Sequence, residues 1–88
     1  WAQRLDKPPY LGFAVTCGIT FTFGGLKIDS ECKVHDTSDL PIPGLYAAGE
    51  LTGGLFYNNY PGGSGLMAGA VFGKIAGANA ASEARSLT

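Results

Sequence analysis

Eighty-eight residues with six basic and seven acidic side chains, net charge −1, allow one small domain and give no electrostatic case for nucleic acid or an anionic membrane. Charged residues make up 15% of the chain against a usual ~25%, while hydrophobic content is an ordinary 45%. So little charge suggests a surface normally covered by something else, and a chain this short buries only about 60–65% of its unfolded surface, so stability is marginal without a partner.

The chain begins Trp1-Ala2-Gln3-Arg4, with no initiator Met and no signal-peptide pattern, which reads as a cut inside a longer protein. Cys17 and Cys32 show no metal-ligand spacing and His35 is the single histidine. No metal is expected, and the cysteines read as reduced thiols of a cytoplasmic protein.

Residues 1–11 form an irregular lead-in, with Pro8-Pro9 favouring extended backbone. Residues 12–23 are apolar with interspersed threonines, a β-branched and aromatic content that predicts a strand. Gly24-Gly25 marks a turn or a point of close approach. Leu26-Lys27-Ile28-Asp29 alternates like a half-buried strand. Cys32 to His35 is a weaker one, and Asp36 to Asp39 is a polar turn. These segments predict a small antiparallel meander. Pro41 to Gly44 stiffens the approach to Leu45-Tyr46-Ala47-Ala48, a wholly apolar run that predicts a fully buried strand of a parallel sheet.

Residues 52–63 form a glycine- and asparagine-rich loop carrying Phe56, Tyr57 and Tyr60, and such long aromatic loops are usually functional. From Ser64 to about Ser82 the pattern is helical, followed by a frayed tail over 83–88. Gly65, Gly69, Gly73 and Gly77 recur every four residues of that helix, each costing about 1 kcal/mol relative to Ala. Their spacing predicts a smooth groove against which a backbone or ligand packs. The uncharged run 51–73 is too broken by Asn58, Asn59, Pro61 and paired glycines to span a membrane.

Two junctions can carry chemistry. Gly49-Glu50 follows the apolar run, so its carboxylate either stands at the carboxyl edge of a sheet, where ligands bind, or opens a solvated loop. Tyr60-Pro61-Gly62-Gly63-Ser64-Gly65-Leu66 is a glycine loop opening a helix. Its first turn suits an anion or electron-rich oxygen, or it is a tight turn with Ser64 as N-cap. Thr22-Phe23-Gly24-Gly25 read alone is a strand and a turn.

Taken together, Pro41 through Glu50, Gly53-Gly54, Gly62 through Leu66 and Phe72-Gly73-Lys74-Ile75-Ala76-Gly77, preceded by Thr22 through Asp29, closely resemble the C-terminal segment of fumarate reductase/succinate dehydrogenase-type flavoproteins, over residues 12–82. The resemblance implies an α+β fragment of small antiparallel strands, one buried strand and a glycine-rich helix, all 88 residues being the C-terminal part of one FAD-binding, Rossmann-like α/β domain. It implies that Gly49 and Glu50 lie along the FAD ribityl chain and pyrophosphate. Gly63, Ser64, Gly65 and Leu66 would lie under the flavin pyrimidine, and Gly24-Gly25 would be the hinge return from a substrate-capping domain. The fumarate reductase branch has a His where this chain has Phe21 and an Arg where it has Tyr60, which points away from fumarate reduction through an arginine acid. Tyr-Pro-Gly resembles the ketosteroid dehydrogenase branch, and residues 56–65 look closest to tricarballylate dehydrogenase-like proteins, whose substrate would need cations this loop lacks.

The implied function is a fragment of an FAD-dependent oxidoreductase moving hydride between a substrate carbon, of a carboxylic acid or a ketosteroid, and flavin N5. Tyr60 is the catalytic candidate, with Phe21 and Thr22 beside it at the substrate. No GxGxxG fingerprint is present, so the chain alone is expected to be inactive, not to retain FAD, and to self-associate through exposed apolar surface while the rest of the parent is missing. The rival reading is a small non-enzymatic interaction module that uses the glycine helix as a packing surface.

Overall fold

The computed structural model describes residues 2–87. Three regular elements are present: β1 (Lys33–His35), β2 (Pro41–Tyr46) and α1 (Ser64–Ser86). The two strands pair antiparallel, Lys33 opposite Tyr46 and His35 opposite Pro41. Three residues of β1 thus face six of β2, and the excess bulges out of register between the two pairs.

Around this pair, bridges and turns complete a meander. Ile28 bridges Val34 antiparallel and Leu26 bridges Thr52 in parallel. The His35 N–H donates to Lys27 O at 2.9 Å, and the Ala47 N–H donates to Cys32 O at 3.0 Å. Carboxylates tie the turns: Asp29 accepts from the Glu31 and Lys33 N–H groups, and Asp36 from those of Ser38 and Leu40. Such side-chain-to-backbone bonds are why Asp favours turns.

Beside the turns, His35 is clasped on both ring nitrogens, Nδ1 3.2 Å from Asp39 Oδ1 and Nε2 3.3 Å from Asp29 Oδ2. Lys27 Nζ lies 2.5 Å from Asp39 Oδ1. Hydrogen bonds to Asp39 and then Asp29 raise the His35 pKa, outweighing the opposing effect of its burial. The Asp39 carboxyl is lowered by Lys27 and His35. Partial burial would raise Asp29, but its hydrogen bonds from Lys33, His35 and Glu31 win and lower it.

The core is small: Cys32, Val34, Ala47 and Ala76. Cys32 is fully buried in a left-handed conformation (φ 66°), and its Sγ lies 3.4 Å from Phe72 O of α1. Burial pushes its thiol pKa up, which suits a structural cysteine. The helix docks through one stripe. Ala76 is its buried residue, Asn79 Nδ2 donates to Glu31 O at 2.9 Å, and Glu83 accepts from Gly44 N–H at 3.1 Å and from the Tyr46 hydroxyl. Residues 72, 76, 79 and 83 follow the 3.6-residue period of one helix face.

Several expectations are corrected here. The strand expected over 12–23 does not form: those residues carry no regular structure, and Phe13, Val15 and Ile19 stand exposed. Apolar β-branched content makes a strand only where a neighbour accepts its ladder, and none of the described residues does so. The fully buried strand of a parallel sheet is likewise absent. Leu45 and Tyr46 end β2, which begins already at Pro41, pairs antiparallel and is largely exposed; Ala47, just beyond it, is buried. The tail over 83–88 does not fray as a whole, since α1 runs to Ser86 with Glu83 fastened to β2. Ser64 is not the N-cap: Gly63 caps α1 at φ 82° without a side-chain hydrogen bond. The glycine groove is only half real. A Cβ on Gly65 or Gly69 would touch Tyr60 or Gly49, whereas Gly73 and Gly77 face open space. A four-residue repeat drifts about 40° per step around a 3.6-residue helix, carrying the later glycines off the docking stripe.

The N-terminal residues project away from this unit. The radius of gyration is 19.2 Å, where about 12 Å suits a compact chain of this length. Among the described residues no helix is long and apolar enough to cross a membrane.

Candidate functional site

Backbone contacts bring the site together. The Leu26 N–H donates to Leu51 O (2.8 Å) and the Gly53 N–H to Leu26 O (3.0 Å), laying the segment after Phe23 against the loop after Glu50. The approach is so close that a Cβ on Gly25 would overlap Leu51 O, and one on Gly53 would sit 2.5 Å from Gly25 N. Only glycine fits either position. Glu50 adds a latch: its Oε1 accepts the Thr22 N–H at 2.9 Å.

This latch gathers four aromatic rings from two segments. Tyr60 meets Phe21 edge-on, centroids 4.7 Å apart at 85°, and lies 5.3 Å from Phe56. Phe23 sits 5.5 Å from Phe21 and 6.3 Å from Phe56. These spacings are those of favourable aromatic pairs. The rings line a cavity of about 230 Å³ together with Thr22, Gly49, Glu50, Thr52, Leu55, Gly65 and Ala68.

Beside the cavity α1 begins. The Ser64 N–H donates to Pro61 O and the Met67 N–H to Gly63 O, both at 3.1 Å. The N–H groups of Gly65 and Leu66 are left to a ligand or solvent, and no acidic side chain occupies the first turn. A helix start of this kind favours an anionic or electron-rich group. Among the described residues no set of His, Cys, Asp and Glu could hold a metal ion.

Of the residues singled out from sequence, Phe21, Thr22, Gly49, Glu50, Tyr60 and Gly65 meet on this one cavity. Gly63 and Ser64 form the helix start next to it, while the Leu66 side chain is 81% exposed and contributes only backbone. Phe23, Thr52, Leu55, Phe56 and Ala68 were missed. Phe23 stands two residues from Phe21, the spacing of one strand face, and that signal could have found it. Phe56 lay in the aromatic loop but had no sequence relation to Phe21.

Comparison with known proteins shows the family. The FAD binding domain family matches residues 2–66. A probable fumarate reductase of Shewanella frigidimarina is 44% identical over 81 residues, 92% of this chain and 14% of that protein. The fumarate reductase of Schizosaccharomyces pombe is 45% identical over 62 residues, 70% of this chain and 12% of that protein. The urocanate reductase of Eggerthella lenta is 42% identical over 77 residues, 88% of this chain and 13% of that protein. The chain thus spans about a seventh or less of these relatives, and no solved structure matches it. On the family match and on these relatives, the chain belongs to the FAD binding domain family of fumarate reductase-type flavoproteins.

Proposed function

We propose that these residues are the C-terminal, flavin-facing part of a Rossmann-like domain in an FAD-dependent oxidoreductase. The observation that carries the reading is the convergence on one cavity of Gly49-Glu50, the bare start of α1, and Phe21, Thr22 and Tyr60. When bound, FAD supplies hydride transfer at its N5. Gly49, Glu50, Gly63, Ser64, Gly65 and Leu66 would hold it. The free N–H groups of Gly65 and Leu66 would stabilise negative charge by about 0.5–2 kcal/mol, and Glu50, with Oε2 unengaged, would accept from a hydroxyl.

Phe21, Thr22 and Tyr60 would face the substrate, a carboxylic acid or a ketosteroid, as in the tricarballylate and ketosteroid dehydrogenase-like proteins that the loop resembles. The Tyr60 hydroxyl bonds to no described residue, which leaves it able to donate to a substrate oxygen. In the longest natural protein containing residues 1–88, Tyr60→Phe should lower turnover more than threefold, about 0.7 kcal/mol in the barrier; a smaller loss removes the catalytic role. Two free cysteines, one exposed and one buried, fit a cytoplasmic setting.

A flavin absorbance scan of that protein beside the 88-residue chain tests the whole reading. Flavin in the former and none in the latter is expected. A colourless longer protein that also refuses added FAD would leave the small interaction module in front, with the exposed Leu66, Met67 and Val71 of α1 as its surface.

A further inference from the structure

We propose that Glu50 is a positioning residue: it couples occupancy of the flavin site to the placement of Phe21 and Thr22. The coupling rests on the proposed function, in which Glu50 accepts from a cofactor hydroxyl, and it holds for any substrate.

The carboxylate stands on a fixed base. Thr52 closes the turn beneath it, its N–H donating to Gly49 O at 3.1 Å and its hydroxyl to the same oxygen at 2.7 Å. Gly49 supplies the positive φ of 90° that this turn uses. On the other side of Glu50, Leu51 O receives the Leu26 N–H at 2.8 Å.

The segment that Glu50 grips is held far less. Among the described residues from 2 to 25, the Thr22 N–H is the one backbone group hydrogen-bonded to another segment, and its acceptor is Glu50 Oε1 at 2.9 Å. Phe21, next to it, rests edge-on against Tyr60 with centroids 4.7 Å apart. Glu50 is thus the polar anchor for the stretch that presents Phe21 and Thr22 to the cavity.

That anchor stands in water, since Glu50 and Thr22 are both exposed. Water competes for such a bond, so by itself it contributes little. A cofactor lying against Glu50 removes that competition. A hydroxyl on Oε2, which no described residue engages, also fixes the rotation of the carboxylate. The bond to Thr22 then strengthens, and Phe21 is held on Tyr60 with it. Linkage makes the effect reciprocal: whatever holds Thr22 tightens flavin binding by the same factor.

The test compares the longest natural protein containing residues 1–88 with and without its flavin. Hydrogen exchange is read at the Thr22 amide, with the Asp36 amide, bonded to Leu40 O outside the cavity, as reference. Flavin should slow Thr22 about three- to tenfold relative to Asp36. Glu50→Ala should abolish the difference, and Glu50→Gln, which keeps an acceptor oxygen, should restore part of it. Thr22→Pro, which lacks the N–H, should weaken flavin binding about three- to tenfold in the native background and leave it unchanged in Glu50→Ala. Should the protein unfold without flavin, the rate of flavin release from the intact holoprotein on dilution is read across the same four variants of the cycle. Equal Thr22 exchange with and without flavin, a flavin effect that persists in Glu50→Ala, or the same Thr22→Pro loss in both backgrounds would each overturn the coupling and leave the flavoprotein reading intact. A protein that neither carries nor takes up flavin would overturn both.

Discussion

Residues 2–20 and residues 26–86 are similarly rich in strand-forming or apolar side chains, yet only the second stretch folds. In the first, every residue is exposed, Ile19 at 95% and Val15 at 89%. In the second, a parallel bridge, an antiparallel pair and a docked helix satisfy one another's backbone groups. Propensity is thus not what separates them. The second stretch contains the partners of its own strands, and the first does not. Strand structure depends on cross-strand neighbours more than on the residues themselves.

The sharpest way to break the comparison is to attack the contact that starts the folded stretch. Gly53→Ala should destabilise it by about 2–4 kcal/mol, because a Cβ there meets the Gly25 backbone rather than a movable side chain. Urea denaturation followed by circular dichroism reads it. A loss below about 1 kcal/mol would mean the crossing is not as tight as described.

Next comes the helix dock. Glu83→Ala removes the acceptor for Gly44 N–H and the Tyr46 hydroxyl and should lower the melting temperature by about 5 °C. Glu83→Gln, which keeps one acceptor oxygen, should lose less.

The clasp around His35 predicts a pH window. Its pKa is raised in the folded chain above 6.5, so its contribution is complete below 6.5 and disappears as pH rises through the folded value. Asp29 and Asp39 are lowered below 3.8, so their contribution is complete above 3.8 and disappears as pH falls through their folded values. Stability should therefore be greatest between about 4 and 6.5. Melting curves across pH should fall above that window in the native sequence and stay flat there in His35→Asn. Salt should weaken the effect, since Asp39 is exposed.

The smallest expected effect is the most telling for the comparison. Deleting residues 1–19 should change the unfolding free energy of the chain by no more than about 0.5 kcal/mol. A loss above 1 kcal/mol would show that the first stretch does contribute to the fold. In the longest natural protein carrying the segment, amide protection over residues 12–20 would identify a strand partner outside these 88 residues.

Much of the site was legible. Gly24-Gly25 as a point of close approach, the glycine loop opening a helix, and Glu50 at a junction could all be read from residue type and order, since glycine density and a carboxylate after an apolar run have direct physical meanings. The aromatic wall was not. Phe21, Phe56 and Tyr60 stand 35 and 4 residues apart in sequence, and no periodicity links them. Nor could the sequence show that Cys32 is the most buried side chain, because its left-handed backbone and its contact with Phe72 O depend on where α1 lies.

By itself, then, the sequence determined what is local: the polar turn at Asp36, a helix beginning beside Gly63, and a motif order specific enough to mark a flavoprotein segment. These follow from hydrogen bonds and backbone preferences within a few residues. Tertiary structure alone decided which apolar runs became strands, which glycines faced a neighbour, that α1 extends to Ser86, and that Glu50 latches Thr22 to close the cavity. Each of these depends on a partner in another segment, up to 39 residues away between Gly44 and Glu83, and the free energy of such a contact is set by geometry that no local pattern encodes.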